Sequence, residues 1–227
     1  LIGYSGGKDS TLLVSLVIDT VMRLPEKERT KKVFIVTSDT GVENPIVKKY
    51  MHTSSNKINI FSGKINANIK ADIIYPDVSQ SYWSLVLGLG YPTPEPPGFR
   101  WCTERLKILP MNRYTNAIIE KYGEVVLLLG VRKAESNTRK RSISAREIEG
   151  KLLVPHEDIS KAYVYNPLTE IKNELVWEYL LRDDGITAWG GDMKYLFNLY
   201  QGEDLGEEQS VIGQVDKDKI PVTGNSR

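Results

Sequence analysis

The sequence predicts an α/β fold, with a mostly parallel sheet flanked by helices and a small helical and irregular appendage at the C-terminal end. Three observations predict it. Short, apolar Leu1 to Tyr4 runs through a glycine turn into a segment with helical apolar spacing; Val33-Phe34-Ile35-Val36 is a continuous apolar run of the kind buried in parallel sheets; and Val125 to Leu129 is a second such run. The main domain is expected over 1–170 and the appendage over 171–227.

The elements follow in order. Leu1 to Tyr4 reads as the end of a strand, so the natural start is expected upstream. Thr11 to Leu24 carries Leu12, Leu13, Leu16, Val17 and Val21 on one helical face, and Pro25 stops it. The run at 33–36 completes a βαβ unit, with a right-handed crossover that sets both strand ends beside the helix N-terminus. Residues 53–70 are rich in Asn, Lys and Ser with weak periodicity, and no element is assigned to them. Ile73-Ile74-Tyr75 suits a third strand, Tyr82 to Leu89 a short helix, and four prolines make Tyr91 to Gly98 a loop. Val125 to Leu129 is the clearest later strand; a basic loop follows it, then a strand at Leu152-Leu153-Val154 and a helix from Glu174 to Arg182.

Composition narrows the function classes. The chain has 227 residues, 41% apolar and 26% charged, as expected of one folded core with a tail. Its net charge is only +1, so affinity for nucleic acid must come from a local cationic patch. A single cysteine, Cys102, excludes an intrachain disulfide within this sequence and fits a reducing, cytoplasmic compartment. No apolar run reaches the roughly 18 residues of a membrane span.

Four segments carry chemistry. Ser5-Gly6-Gly7-Lys8-Asp9-Ser10 opens directly onto a helix. Glycines there let backbone N–H groups approach phosphate oxygens, the helix start favours an anion, and Lys8 adds a point charge. It is not a Walker A loop, because Ile2 stands where that pattern needs glycine and Asp9 follows the lysine. Asp39-Thr40-Gly41-Val42-Glu43 follows the second strand, where open α/β sheets bind ligands. Asp39 and Glu43 suit Mg²⁺ or nucleotide hydroxyls, although Asp-Thr-Gly is also an ordinary capped turn. Cys102 stands among Arg100, Arg105 and Lys107, which favour a thiolate, while a buried inert cysteine fits equally well. Gly130-Val131-Arg132 leads into Lys133, Arg139, Lys140, Arg141 and Arg146. That run could clamp a triphosphate or a nucleic-acid backbone, or be a solvated loop.

These segments resemble a known family. Ser5 to Ser10 is similar to the signature of PP-loop ATP pyrophosphatases, which include adenylating enzymes and phosphoadenosine phosphosulfate (PAPS) reductases and share a Rossmann-like sheet. The resemblance implies that Ser5, Gly6, Gly7, Lys8, Asp9 and Ser10 hold the phosphates of ATP, with Asp39, Thr40, Gly41 and Arg132 completing the site. It places catalysis on Lys8, Asp9 and Arg132. The Cys-x-x-x-x-Lys-x-x-Pro spacing from Cys102 to Pro110 and Gly-Val-Arg-x-x-Glu-Ser from Gly130 resemble PAPS reductase segments, which implies that Arg105 and Lys107 face the nucleotide.

The order of all four segments, with Gly90-Tyr91-Pro92, Trp189-Gly190 and Leu199-Tyr200, is similar to the DndC-like proteins of DNA phosphorothioation and to the SspD-like protein of the Ssp system. That resemblance implies cleavage of ATP to AMP and pyrophosphate to activate a DNA phosphate, sulfur from a cysteine desulfurase, other phosphorothioation proteins as partners, and DNA contact through Arg139, Lys140, Arg141 and Arg146. One departure stands out. DndC proteins hold an iron–sulfur site on four cysteines, yet the two expected near Gln209 and Thr223 are missing, and Gly224-Asn225-Ser226-Arg227 ends the sequence where a Cys-x-x-Cys pair would follow. The alternatives are a PAPS reductase-like oxidoreductase and a nucleotide-sensing module of a defence complex that binds ATP without cleaving it.

Overall fold

A computed structural model describes residues 1–94, 101–135, 140–141, 143–144 and 151–201. Six strands form one sheet in the order β3-β2-β1-β4-β6-β5. They are β1 (Ile2–Gly3), β2 (Val33–Ser38), β3 (Ile69–Ile74), β4 (Val125–Leu128), β5 (Val154–Pro155) and β6 (Ala162–Tyr165). All neighbours run parallel except β5, which pairs antiparallel with β6. This is the α/β class the sequence predicts.

The chain winds from β1 through β2 to β3 on one side and returns to place β4 and β6 on the other. The order therefore reverses between β1 and β4, and beyond the carboxyl ends of those strands lies the crevice where such sheets bind ligands. Helix α1 (Lys8–Arg23) begins at once after the first turn and buries Leu12, Leu13, Val14 and Ile18 against the sheet.

Helix α2 (Pro45–Lys64) is entered through Asn44, whose side chain accepts the Ile46 N–H at 2.9 Å, with Pro45 in the first turn where a missing N–H costs nothing. It occupies much of the segment that showed no clear period, because the face it turns inward mixes Met51 and Ile58 with buried Ser54, Ser55 and Ser62. The third strand is longer than Ile73-Ile74-Tyr75 suggested. It starts at Ile69, and its exposed Lys70 pairs with Asp72 at 2.9 Å on the sheet edge.

A π-helical turn, Ser84–Gly88, stands within the short helix expected at 82–89. Another, Glu104–Ile108, leads from a helical turn at Trp101–Thr103 into α3 (Leu109–Tyr122). The strand expected at Leu152-Leu153-Val154 is displaced to Val154–Pro155, leaving Leu152 76% exposed. Helices α4 (Asn173–Leu181) and α5 (Met193–Gln201) share one core with α1: Val176, Trp177, Leu180, Leu196 and Leu199 join Leu12, Leu13 and Ile18. No described helix is long and apolar enough to cross a membrane.

Candidate functional site

The turn between β1 and α1 is folded by its own side chains. Ser10 Oγ accepts the Ser5 N–H at 3.2 Å, donates to the Gly7 carbonyl at 3.0 Å and lies 3.1 Å from Ser5 Oγ. Gly6 takes φ +74°, and a β-carbon there would stand 2.8 Å from Met51 Cγ, so only glycine fits. The first intrahelical acceptor is the Gly7 carbonyl, which takes the Thr11 N–H. Among the described residues the N–H groups of Gly6, Asp9 and Ser10 have no acceptor, leaving a cluster of donors at the positive end of a 16-residue helix.

Lys8 is packed between Asp9 and Tyr200. It is 2% exposed, 3.5 Å from Asp9 Oδ2, with its ammonium 5.1 Å from the centre of the Tyr200 ring. Burial pushes its pKa below the ordinary lysine value; Asp9 opposes that shift and Arg132 adds to it. The Tyr200 hydroxyl accepts the Lys8 N–H at 3.1 Å, and burial holds the Tyr200 pKa up at about 12, so the phenol stays protonated.

Arg132, in the loop after β4, has no exposed surface. Its Nε donates to Asp9 Oδ1 at 2.7 Å, Nη1 to the Ile171 carbonyl at 3.1 Å and Nη2 to Asn173 Oδ1 at 3.5 Å. One guanidinium thus ties the β4 loop to the first turn of α1 and to the approach to α4.

Asp39, past β2, is also fully buried. Its carboxylate accepts the Gly41 N–H at 3.0 Å and meets Lys48 Nζ at 3.1 Å and His52 Nε2 at 2.9 Å. Burial alone would raise its pKa, but the bonds from His52, Gly41 and Lys48 outweigh it and hold it below the usual 3.8. A group depressed in the fold stabilises it fully above its unfolded pKa and ceases to as pH falls through the folded one. Wild-type stability should therefore decline as pH drops below about 3.8, and Asp39→Asn should flatten that decline, as read by urea midpoints across pH 2–6. Equal acid slopes in the two proteins would refute the assignment.

A cleft of about 1060 Å³ opens along the carboxyl ends of β1, β2 and β4. Tyr4 and Ser5 stand at its phosphate-turn end, Ser38 at the end of β2 and Glu43 beyond it, Lys107 to Thr115 on one wall, and Val131, Ile143 and Asn166 on the other. It slightly exceeds the ~300–1,000 Å³ typical of ligand pockets.

The sequence profile of the phosphoadenosine phosphosulfate reductase domain matches residues 1–186. The chain belongs to that family. A PAPS reductase from Candida auris in its phosphate complex shares 13% identity over 82% of this chain and 73% of its own, with a TM-score of 0.46. The U34-tRNA thiolase NcsA of Methanococcus maripaludis, with its [4Fe-4S] cluster, shares 15% over 79% of this chain and 55% of its own, with a TM-score of 0.45. No curated protein matches the sequence.

In this PAPS reductase-family chain the predicted residues are put to several uses. Ser5, Gly6, Gly7, Asp9 and Ser10 form the donor-bearing turn. Lys8 and Arg132, read from sequence as phosphate ligands, are buried beside Asp9. Thr40 donates to Glu43 Oε1 at 3.0 Å, and Lys107 lies 3.5 Å from the same oxygen, so the second and third segments meet at one wall of the cleft. Asp39 and Glu43 take different partners: Lys48, His52 and the Gly41 N–H meet the first, Thr40 and Lys107 the second. Among the described residues no group of three or more His, Cys, Asp or Glu gathers to hold a metal.

Arg105 turns aside to Gln80 and Tyr91, and half-buried Cys102 does not line the cleft. Lys140 and Arg141 are exposed, while Arg139 and Arg146 lie outside the described residues. Sequence reasoning gave no role to Lys48, His52, Asn166 or Tyr200. His52 sits on α2, which the sequence pattern concealed, and Tyr200 lies 192 residues from the N–H it binds.

Proposed function

We propose that this chain cleaves ATP to AMP and pyrophosphate, holding the departing phosphates on the turn Ser5 to Ser10, and that the activated α-phosphate serves sulfur insertion into the DNA backbone. The carrying observation is the trio of unpaired N–H donors on Gly6, Asp9 and Ser10 at the start of α1, beside the cleft at the reversal of strand order. In such a reaction a non-bridging DNA phosphate oxygen attacks the α-phosphorus and the bond to the β-phosphate breaks. Negative charge then grows on the pyrophosphate side, where fixed N–H dipoles need no reorganisation to meet it.

The finer assignment rests on segment order, which resembles the DndC-like proteins, and on exposed Lys140 and Arg141 beside cleft-lining Ile143, a rim suited to a phosphate backbone. A cysteine desulfurase and other phosphorothioation proteins are the partners this reading calls for.

Chromatography of products from ATP, Mg²⁺ and DNA tests the first half. AMP and pyrophosphate are expected from wild type, with Lys8→Ala slower by about 100-fold because the cation nearest the turn is gone. Thermal melts of both proteins establish that the variant is folded. ADP and phosphate as products, or full activity in the folded variant, would sink the reading. Mass analysis of genomic DNA for sulfur-bearing dinucleotides, with and without the gene, tests the second half.

Family membership favours a second reading, reduction of a sulfonucleotide. Among these 227 residues that chemistry would need Cys102, which is set apart from the cleft lining. Sulfite released from PAPS with thioredoxin would support it. ATP binding with no AMP formed, even with DNA and a desulfurase present, would mark a sensing module.

A further inference from the structure

Asn166 directly follows β6 on the wall of the cleft, and its Oδ1 is buried without a hydrogen-bond partner. A native fold rarely leaves such an acceptor empty, because it has given up water and received nothing in exchange. The position is nonetheless fixed. The Asn166 carbonyl accepts the Thr169 hydroxyl at 2.8 Å, the Thr169 carbonyl accepts the Lys133 N–H at 3.0 Å, and Ile171 is held by Arg132. The turn from Asn166 to Ile171 is therefore locked to the β4 loop, which is locked to Asp9 of the phosphate turn.

Strand register places this acceptor. Tyr165 pairs with Leu128 and Leu128 with Ile2, so Asn166 is level with Gly3, at the entrance to the phosphate turn, two strands away. At the usual interstrand spacing that is roughly 10 Å. Between them the lining is apolar, with Leu129, Val131 and Val164. On the facing wall Thr115 Oγ1, in a side chain with no exposed surface, is also without a partner. Polar groups converging on a cleft orient a ligand, and these two, buried and without partners, stand apart from the phosphate turn.

We infer that Asn166 accepts a hydrogen bond from a ribose hydroxyl of the nucleotide. The inference rests on the reading of the turn as a phosphate site. An empty acceptor calls for a donor on the ligand, and ATP carries two kinds, the ribose hydroxyls and the adenine amino group. The ribose adjoins the phosphates and Asn166 is level with the turn that holds them, so the sugar is the nearer. Asn166 is thus a specificity residue that distinguishes ribonucleotides from deoxynucleotides.

Equilibrium binding of ATP, 2′-deoxy-ATP, 3′-deoxy-ATP, inosine triphosphate and pyrophosphate, without divalent cations, tests this in wild type and Asn166→Ala. Wild type should bind ATP about tenfold tighter than one of the deoxy analogues and bind inosine triphosphate as well as ATP. Asn166→Ala should bind ATP and both deoxy analogues alike, with pyrophosphate affinity unchanged, which shows the turn intact. Equal wild-type affinity for ATP and both analogues overturns the inference whatever the variant does. So does discrimination that survives in Asn166→Ala, or a penalty confined to inosine triphosphate, which would put the amino group at Asn166. Failure of wild type to bind pyrophosphate points elsewhere: it removes the phosphate site itself, and this inference with it.

Discussion

Arg132→Met is expected to destabilise the protein by about 3–5 kcal/mol, the range for removing one partner of a buried ion pair. The side chain has no exposed surface and reaches Asp9, the Ile171 carbonyl and Asn173 together. Methionine fills much of the space but offers no donor, so Asp9 Oδ1 and the Ile171 carbonyl lose their partner while still largely shut off from water, and Asp9 keeps only Lys8 at 3.5 Å. Urea denaturation measures the loss. Asp9→Asn in the same background should recover part of it, since the carboxylate oxygen left without its guanidinium is then gone, and the two changes should be non-additive. A change below about 1 kcal/mol would mean that water reaches Asp9 and that the three contacts matter little.

Gly130→Ala is expected to damage nucleotide binding and cleavage far more than stability. A β-carbon at this position would sit 3.0 Å from the Asp9 carbonyl oxygen, 3.2 Å from its carbon and 3.3 Å from the Ser10 nitrogen. Those are backbone atoms of the first helical turn, which cannot swing aside as a flexible side chain would. The β4 loop and the phosphate turn must separate, and the free N–H donors of Asp9 and Ser10 move with the turn. A shift approaching 1 Å in such groups can cost about 100-fold in rate. Steady-state pyrophosphate release beside a thermal melt separates the two effects. Full activity in Gly130→Ala would show that the contact between the loops does not set the geometry of the turn.

How far the sequence was legible follows from what each segment buries. Val33 to Val36 and Val125 to Leu129 were plain, because each is a continuous apolar run in the middle of the sheet, although Val126 and Leu129 stay exposed. Edge strands are different: β3 alternates Ile69 and Ala71 with Lys70 and Asp72, so only its apolar end stood out. Most of β6, Ala162–Tyr165, is only half-buried beside a two-residue partner, and Leu152-Leu153 drew the assignment away from it although both are exposed. Helix α2 escaped notice because small hydroxyl residues sit on its buried face, where a hydrophobic period cannot register them.

The site divides in the same way. Glycines at 6 and 7, a lysine and a following helix are consecutive, so spacing alone marks the turn from Ser5 to Ser10 and the βαβ unit around it. The sequence by itself also determined the fold class and the family segments, since each is carried by residues adjacent in the chain. Tertiary structure alone decided that Lys8 and Arg132 are buried about Asp9, that His52 and Lys48 occupy Asp39, that Tyr200 covers the Lys8 N–H, and that Asn166 is level with Gly3. Apart from that of Lys8 with neighbouring Asp9, those contacts join residues 9 to 192 positions apart, and a local pattern holds no record of which distant groups a folded sheet brings within hydrogen-bonding range.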